Sequence, residues 1–137
     1  MNHVKRAKAV FDIELDALRR TRAALNSRFN EAVELIVKCL RNKGKVVVTG
    51  IGKSGNIGQK IAATFNSTGT TSVVLDSVNA MHGDLGVISD GDVVLALSYS
   101  GETEELLRVL PAIKRFRVTI IAMTGNLKSQ QIGRAHV

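Results

Sequence analysis

Two short stretches rich in glycine and hydroxyl groups carry the residues that could do chemistry. The first, 50–55, reads GIGKSG and directly follows the apolar run KVVVT at 45–49. A strand that enters a helix through such a turn places free backbone N–H groups and the positive end of the helix dipole at one point, which favours phosphate binding. The second stretch, 98–103, reads SYSGET and follows the apolar run VVLAL at 93–97. The sequence therefore predicts a phosphate site.

The hydroxyl groups of the two stretches can surround one ligand if the strands before them are neighbours. In a doubly wound parallel sheet, ligands bind beyond the carboxyl ends of the strands, near the point where the strand order reverses. Both stretches would then face one pocket, where four hydroxyl groups could hold a phosphate monoester: those of Ser54, Ser98, Ser100 and Thr103. Ordinary helix capping by Ser100 and Thr103 is the alternative, since hydroxyl groups are favoured at helix N-termini.

The glycine pattern also allows an NAD-binding site. Gly50, Gly52 and Gly55 fit the pattern G-x-G-x-x-G after a predicted strand. Asp76 follows about 20 residues later, where an acid that binds ribose is expected. Lys53 counts against a dinucleotide because it lies in the turn that the pyrophosphate would have to approach closely.

Strands and helices alternate from residue 45 onward, which is typical of a parallel α/β sheet. The sequence predicts strands at 45–49, 72–76, 92–98 and 117–123, with helices at about 55–66 and 102–115. Pro111 lies inside the second of these helices and is expected to bend or break it. This segment, 45–131, is the predicted ligand-binding domain, and it ends before the last strand that such a sheet usually has.

The N-terminal region, 1–44, is predicted to form two amphipathic helices, one at 4–25 and one that includes 29–40. Apolar residues recur at helical spacing in both, and Gly44 stands where a left-handed residue would end the second. Most of the formal net charge of +7 lies in this region. Its basic residues are interleaved with acidic ones and not with aromatic ones, so a solvated helix face explains the charge better than nucleic-acid binding. The apolar faces would pack on the sheet or on a second subunit.

Composition indicates a cytoplasmic protein with no membrane partner. The single cysteine, Cys39, excludes an internal disulfide and fits a reducing compartment. Its apolar neighbours favour a small core residue over a catalytic thiol. No apolar run approaches the roughly 18 residues of a membrane span, and no apolar block follows the basic N-terminus as it does in a secretory signal.

The last six residues, 132–137, read IGRAHV, at a place where another helix and strand are expected. The codons ATC GGA AGA GCA CAC GTC would encode them, and these match a widely used sequencing-library adapter. We therefore predict that 132–137 are a non-native tail, and we assign no function to them.

Four blocks of the sequence resemble the sugar isomerase (SIS) domain, and more closely that of the D-arabinose 5-phosphate isomerases. They read GIGKSGNIG at 50–58, AATFNSTGT at 62–70, AMHGDLG at 80–86 and SYSGETEE at 98–105. The S-x-S-G-E-[ST] turn is common to SIS domains, whereas the GKSG turn together with AMHGDLG narrows the match to this isomerase. The resemblance implies a doubly wound parallel sheet, a flavodoxin-like α/β/α sandwich, preceded by two helices.

The resemblance also implies roles for particular residues. Lys53 and Glu105 match two positions tied to catalysis. With Ser54 and Gly101 of the two turns, the predicted substrate-binding set comprises the matched residues Gly69, Thr70, His82, Ser98, Tyr99, Ser100 and Thr103. His82 also matches a histidine that can take a zinc ion. No organic cofactor is implied.

The implied reaction converts D-ribulose 5-phosphate to D-arabinose 5-phosphate, which supplies synthesis of the lipopolysaccharide sugar Kdo. Such an isomerisation moves a proton between C2 and C1 through an enediol. It needs a carboxylate base, a cation or acid beside the developing oxyanion, and a clamp for the phosphate. Lys53 could offset the charge of the enediolate, and Glu105 could approach the sugar carbons.

Members of this family carry a further glutamate and a histidine downstream of the part matched here, and usually two regulatory CBS modules. Because the sequence lacks these, we expect an N-terminal fragment that is inactive alone, taken from an enzyme that assembles as a homotetramer. Two other functions stay open: a non-catalytic SIS module that senses a sugar phosphate, and an NAD-binding Rossmann domain. A sensor would not need Lys53 and Glu105.

Overall fold

A parallel sheet with helices on both faces forms the main body of the protein, in a computed structural model that describes residues 2–80 and 83–137. The helices are α1 (His3–Ala24), α2 (Ser27–Arg41), α3 (Gly52–Ser67), α4 (Ser77–Ala80) and α5 (Glu104–Ile113). The strands are β1 (Val46–Gly50), β2 (Ser72–Asp76), β3 (Val93–Leu97) and β4 (Thr119–Met123). Short 3₁₀ turns span Asp84–Val87 and Ile132–Arg134. No described helix has the length and apolar character to span a bilayer.

All four strands are parallel, in the spatial order β2-β1-β3-β4. From β1 the chain first builds outward to β2, and then returns to the other side of β1 with β3. The strand order therefore reverses between β1 and β3, which confirms the doubly wound topology predicted from the sequence. The crevice beyond the carboxyl ends of these two strands is where such sheets bind ligands.

Apolar layers on both faces of the sheet hold the helices in place. Successive residues of a strand point to opposite faces, so Val47 packs with Leu110 of α5 on one face. On the other face, Val48 belongs to a cluster with Ala62 of α3 and Cys39 of α2. Both faces of the two central strands, β1 and β3, are covered, as the apolar runs of these strands predict. The fold is the expected α/β/α sandwich.

The first 30 residues form a compact unit of their own, and most of it is α1. Asn2 caps this helix, since its side-chain oxygen accepts a hydrogen bond from the Lys5 N–H at 3.0 Å. Every residue of α1 is exposed, including the large apolar side chains of Phe11, Ile13 and Leu18. Since α1 spans His3–Ala24, the predicted helix at 4–25 is confirmed within one residue at each end.

The ends of two helices differ from the predictions for a physical reason. α3 begins at Gly52, three residues before the predicted start, so the glycine turn is itself the first turn of the helix. The left-handed residue after α2 is Lys43, with φ of 62°, and not Gly44. Gly44 is needed for space instead, because a Cβ atom there would lie 2.7 Å from Cys39 Sγ.

Pro111 does not break α5, contrary to one of the two predicted outcomes. The helix continues to Ile113, so the proline stands in its last turn. Proline has no N–H to donate to the carbonyl four residues earlier, which is that of Leu107. The Arg134 guanidinium donates to this carbonyl instead.

The predicted tail, 132–137, lies back along the sheet. The His136 N–H donates to the Ile120 carbonyl at 2.8 Å, and the Ala122 N–H donates to the Val137 carbonyl at 2.8 Å. These contacts follow β4 on the side away from β3. They do not bear on whether the tail is native, which stays a prediction.

Candidate phosphate site

The turn at 98–103 is held in shape by its own hydroxyl groups. The Ser98 and Thr103 hydroxyl oxygens lie 2.8 Å apart, and the Gly101 N–H donates to Ser98 Oγ at 3.0 Å. The Glu102 N–H donates to the Ser100 hydroxyl at 3.1 Å. Gly101 has φ of 67°, a left-handed conformation that favours glycine. These bonds close the turn on itself without using all of its donors.

Several backbone N–H groups of this turn stay available to a ligand. Within the described part of the chain, nothing accepts a hydrogen bond from the N–H groups of Tyr99, Ser100 and Thr103. The first turn of α5 adds more, because a helix leaves its first N–H groups without intrahelical partners. Thr103 is the N-cap residue, yet its hydroxyl contacts Ser98 and does not cap the helix. Simple capping therefore does not account for this hydroxyl.

The glycine turn after β1 places the start of α3 next to this turn. Since α3 begins at Gly52, Lys53 and Ser54 lie in its first turn. Gly55 packs directly against the strand end: a Cβ atom there would lie 2.8 Å from the Gly50 carbonyl oxygen. Glycine at this position lets the helix start immediately beyond β1, so its N-terminal N–H groups also lie at the carboxyl edge of the sheet.

One open pocket of about 250 Å³ lies between these elements. Its wall includes residues from the start of α3, from the turn after β3 and from the segment after β4, among them Lys53, Ser54, Ile57, Ser98, Tyr99 and Gly125. Lys53 is exposed, whereas Ser98 is buried. The exposed surface of the wall is largely apolar, and Lys53 and the hydroxyl groups of Ser54 and Ser98 are polar groups within it, beside the N-terminus of α3. A cation, hydroxyl groups and a helix N-terminus are groups that can hold a phosphate.

A segment that the sequence analysis did not single out, 124–131, supports the turn from outside. The Tyr99 carbonyl accepts hydrogen bonds from the Gly125 N–H at 3.0 Å and from the Thr124 hydroxyl at 3.2 Å. The Gln131 N–H donates to the Gly101 carbonyl at 3.1 Å. The sequence feature that could have identified this segment is the polar run TGN directly after the fourth strand. The topology places this run at the same edge of the sheet as the other two turns.

Comparison with known proteins gives the family. The family model of the SIS domain matches residues 39–137, well over half of the chain. The chain belongs to the SIS domain family. The matched range includes all four strands of the sheet and the serine-rich turn after β3.

Curated relatives of this SIS domain are named arabinose 5-phosphate isomerase KdsD. The chain is 45% identical over 137 residues to the one from Pseudomonas aeruginosa, covering 100% of this chain and 41% of the relative. It is 45% identical over 130 residues to the one from Escherichia coli K12, covering 95% of this chain and 39% of the relative. The chain thus spans about two fifths of the length of these relatives.

A solved structure resembles the whole chain. It is that of E. coli CFT073 c3406 in complex with arabinose 5-phosphate. That protein is 36% identical in sequence and superposes with a TM-score of 0.90, and the match covers 100% of this chain and 73% of that chain. The SIS fold assigned from the sequence is therefore confirmed at the level of the whole chain.

In this SIS domain, Glu105 lies close to the turn in sequence but outside the pocket. It is exposed in the first turn of α5, two residues after Thr103, and it is not among the described residues that line the pocket. Ser100 is exposed as well, while Gly101 is buried. The pocket therefore groups Lys53 and Ser54 with Ser98 and Tyr99. Four predicted site residues are not among the described residues that line it: Ser100, Gly101, Thr103 and Glu105.

Gly69 and Thr70 lie at the opposite edge of the sheet. They connect α3 to β2, directly before Thr71, whose carbonyl accepts a hydrogen bond from the Val46 N–H at 3.0 Å. In a parallel sheet the starts of all strands share one edge, and the candidate site lies at the other. Within one copy of the SIS domain these two residues do not join the pocket, and their contact with a substrate stays a prediction.

His82, and with it the expected zinc position, falls outside the described residues. Across 2–80 and 83–137, no group of three or more His, Cys, Asp or Glu side chains could hold a metal ion. Asp76, the candidate ribose ligand of an NAD site, accepts a hydrogen bond from the Asn79 N–H at 3.1 Å at the start of α4. That contact gives this carboxylate a structural use that does not involve a cofactor.

Cys39 is a core residue, as predicted. It is 4% exposed, and its Sγ donates to the Lys45 carbonyl at 3.4 Å. Burial raises the pKa of its thiol above the ordinary value. A buried, protonated thiol is unreactive, and this one lies on the buried face of α2, away from the candidate site.

Proposed function

We propose that this SIS domain binds a pentose phosphate and belongs to an arabinose 5-phosphate isomerase. The observation that carries the proposal is the self-closed turn at 98–103, with unused N–H groups, at the point where the strand order reverses. The names of the curated relatives and the sugar phosphate bound in the structural neighbour support the choice of substrate. The reaction would interconvert D-ribulose 5-phosphate and D-arabinose 5-phosphate.

Phosphate binding is assigned to the turn at 98–103. The hydroxyl groups of Ser98 and Thr103 share one hydrogen bond, so one of the two keeps its O–H free for a ligand. The Ser100 hydroxyl and the N–H groups of Tyr99 and Ser100 add three more donors. The N-terminus of α5 contributes the positive end of its dipole. A phosphate monoester carries the charge and the acceptor oxygens that this set of donors requires.

Proton transfer is assigned to the neighbourhood of Lys53 and Glu105. A carboxylate takes the proton from C1 of the ketose to give an enediol, and the proton returns to C2 to give the aldose. The Lys53 ammonium group would offset the negative charge that develops on the sugar oxygen. Glu105 is exposed in the first turn of α5, and its proposed role as the base is supported by the sequence resemblance and by its position two residues after Thr103.

The reaction transfers a proton within one substrate, so the proposal needs no redox or organic cofactor. A zinc ion at His82 is kept only as the weaker proposal that the resemblance implies. The proposed setting is the cytoplasm, where the product would supply synthesis of the lipopolysaccharide sugar Kdo. A homo-oligomer, a tetramer in the longer protein, is the proposed assembly.

Self-association through α1 is supported by its exposed apolar residues. Phe11 and Leu18 are 64% and 65% exposed, and an exposed apolar surface of this kind marks a contact site. Sedimentation equilibrium at micromolar concentration should show a homo-oligomer, and replacing both residues by Asp should shift it to a monomer. A monomeric wild-type chain would contradict this part of the proposal.

Turnover can be tested in a chimera in which residues 1–131 replace the matching part of the Pseudomonas aeruginosa relative. We expect the chimera to convert D-ribulose 5-phosphate to D-arabinose 5-phosphate. Lys53→Ala and Glu105→Ala should each lower kcat by at least about 100-fold, as expected for loss of a charge-stabilising or proton-transferring group. The affinity for substrate should change by only a few-fold.

Two outcomes would count against this assignment. If both variants lost affinity in proportion to turnover, Lys53 and Glu105 would be binding residues, as in a sugar-phosphate sensor. If both kept full turnover, neither would take part in the chemistry. Arg108→Ala serves as the control, because its exposed ion pair with Glu104 lies on the surface of α5 and its loss should leave kcat unchanged.

A further inference from the structure

Ser129 has a buried hydroxyl group that finds no partner. Its side chain is 4% exposed, and none of the described residues makes a hydrogen bond to Ser129 Oγ. A buried hydroxyl without a partner costs stability. A sequence that folds stably can keep such a group when it forms its hydrogen bond in another functional state.

This hydroxyl lies against the backbone of the phosphate-binding turn. A Cβ atom built on Gly101 would collide with both Oγ and Cβ of Ser129 and would lie 2.9 Å from Thr124 Oγ1. The Ser129 side chain thus fills the space that the glycine leaves open. Gly101 is buried at the same time, so the two residues form a closed contact behind the turn.

The segment that carries Ser129 also sets the direction of the donors of the turn. Thr124 and Gly125 both donate to the Tyr99 carbonyl. In a trans peptide the carbonyl and the following N–H point in opposite directions. Holding the Tyr99 carbonyl toward 124–131 therefore directs the Ser100 N–H away from this segment, where a phosphate can accept its hydrogen bond.

The Ser100 carbonyl is the acceptor next to Gly101 that is still unused. No hydrogen bond to it comes from within the described residues. A donor without an acceptor and an acceptor without a donor thus flank the same glycine. A movement of the turn that brought Ser129 Oγ within hydrogen-bond distance of this carbonyl would give both groups a partner.

We propose that Ser129 is a positioning residue of the phosphate site, whose hydroxyl donates to the Ser100 carbonyl when phosphate binds and locks the turn in its binding conformation. The inference rests on the phosphate site proposed above. It predicts that the hydroxyl lowers the stability of the protein without phosphate and raises its affinity for phosphate. A side chain with a purely structural role would not have these opposite effects.

The test measures Tm and affinity on the 137-residue chain and on Ser129→Ala. Isothermal titration calorimetry uses inorganic phosphate and, separately, D-arabinose 5-phosphate. We expect the Tm of Ser129→Ala without added phosphate to be equal to or above that of the wild type, because an unsatisfied hydroxyl is removed. Its affinity for both ligands should fall at least five-fold.

Ser72→Ala is the matched control. Ser72 is also buried, but its hydroxyl donates to the Ala62 carbonyl at 2.9 Å, and it lies at the far edge of the sheet. This variant should lower Tm and leave both affinities unchanged.

Each other result would overturn the inference. Unchanged affinity in Ser129→Ala, with a wild type that binds, would refute the role of Ser129 and leave the proposed function intact. A fall in both Tm and affinity would identify an ordinary packing residue. If the wild type bound neither ligand, the proposed function and the inference would fail together.

Discussion

Gly101 is the residue of the site whose identity the geometry restricts most. Its φ of 67° is strained for any residue with a Cβ atom, and that atom would collide with Ser129. We therefore expect Gly101→Ala to lower the free energy of unfolding by about 2–4 kcal/mol. Because the same change displaces the N–H groups of the turn, affinity for D-arabinose 5-phosphate should fall more than tenfold. Urea unfolding and titration calorimetry measure the two effects.

Gly91→Ala separates strain from the effect on the site. Gly91 also has a left-handed φ, 91°, but a Cβ atom there would meet nothing within 4 Å, and the residue lies before β3 at the opposite edge. The free energy of unfolding of Gly91→Ala should fall by about 1–2 kcal/mol from backbone strain alone. This variant should bind D-arabinose 5-phosphate as tightly as the wild type. Equal loss of binding in both variants would mean that Gly101 acts only through stability.

At the scale of residues, the sequence predicted a hydroxyl-rich turn directly after the third strand, and the structure has that turn, with Gly101 in a left-handed conformation. Phosphate binding by its serines stays a prediction. The contact between Ser129 and Gly101 could not be predicted, since only the folded chain brings these two residues together. The matched motif at Gly69 and Thr70 did not reveal that these residues lie at the opposite edge of the sheet from the 98–103 turn, and their contact with a substrate stays a prediction.

At the scale of elements, Asp92 joins the starts of two strands. Its Oδ2 lies 2.7 Å from Lys45 Nζ and accepts from the Ser89 N–H at 2.8 Å, while its Oδ1 accepts from the Lys45 N–H at 3.0 Å. The Asp92 side chain is 2% exposed. Asp92→Ala would leave an unpaired charge and unpaired N–H groups, so we expect a loss of about 3–5 kcal/mol. Phosphate affinity should not change, since the site lies at the other edge.

Asp90→Ala is the control for this pair. Asp90 forms an exposed pair with Arg117 at 2.8 Å, so its removal should change stability little. Hydrogen bonds from Arg117 lower the pKa of Asp90, so its small contribution is present above the ordinary Asp pKa of about 4 and is lost as pH falls. An equal loss of unfolding free energy in Asp92→Ala and Asp90→Ala would contradict the claim that burial makes the Asp92 contacts the more stabilising ones. Chemical unfolding at pH 7 distinguishes the two.

Strands were easier to predict than helix starts. The strand at 72–76 was predicted with its observed ends, and the other three within two residues at each end, because β-branched apolar runs have clear limits. α3 begins inside a glycine turn, which propensity disfavours but which the packing of Gly55 against β1 makes possible. α4 is four residues long, too short for any helical period to show.

At the scale of the whole molecule, topology explains why the site is where it is. The order β2-β1-β3-β4 brings the ends of β1 and β3 together, and each of these strands continues into a turn that starts a helix. The two turns are separated by more than 40 residues in sequence, yet the parallel register makes them neighbours. Helix dipoles and free N–H groups from α3 and α5 therefore lie at one crevice.

Binding of a sugar phosphate in this crevice is the central property proposed for the protein. Titration calorimetry of the chain with D-arabinose 5-phosphate, and with D-arabinose and NADH as comparison ligands, tests it directly. We predict one D-arabinose 5-phosphate per chain, with affinity at least about 100-fold above that for D-arabinose, because the phosphate contacts dominate, and no binding of NADH. Equal affinity for D-arabinose and its phosphate, or binding of NADH in place of the sugar phosphate, would contradict the account.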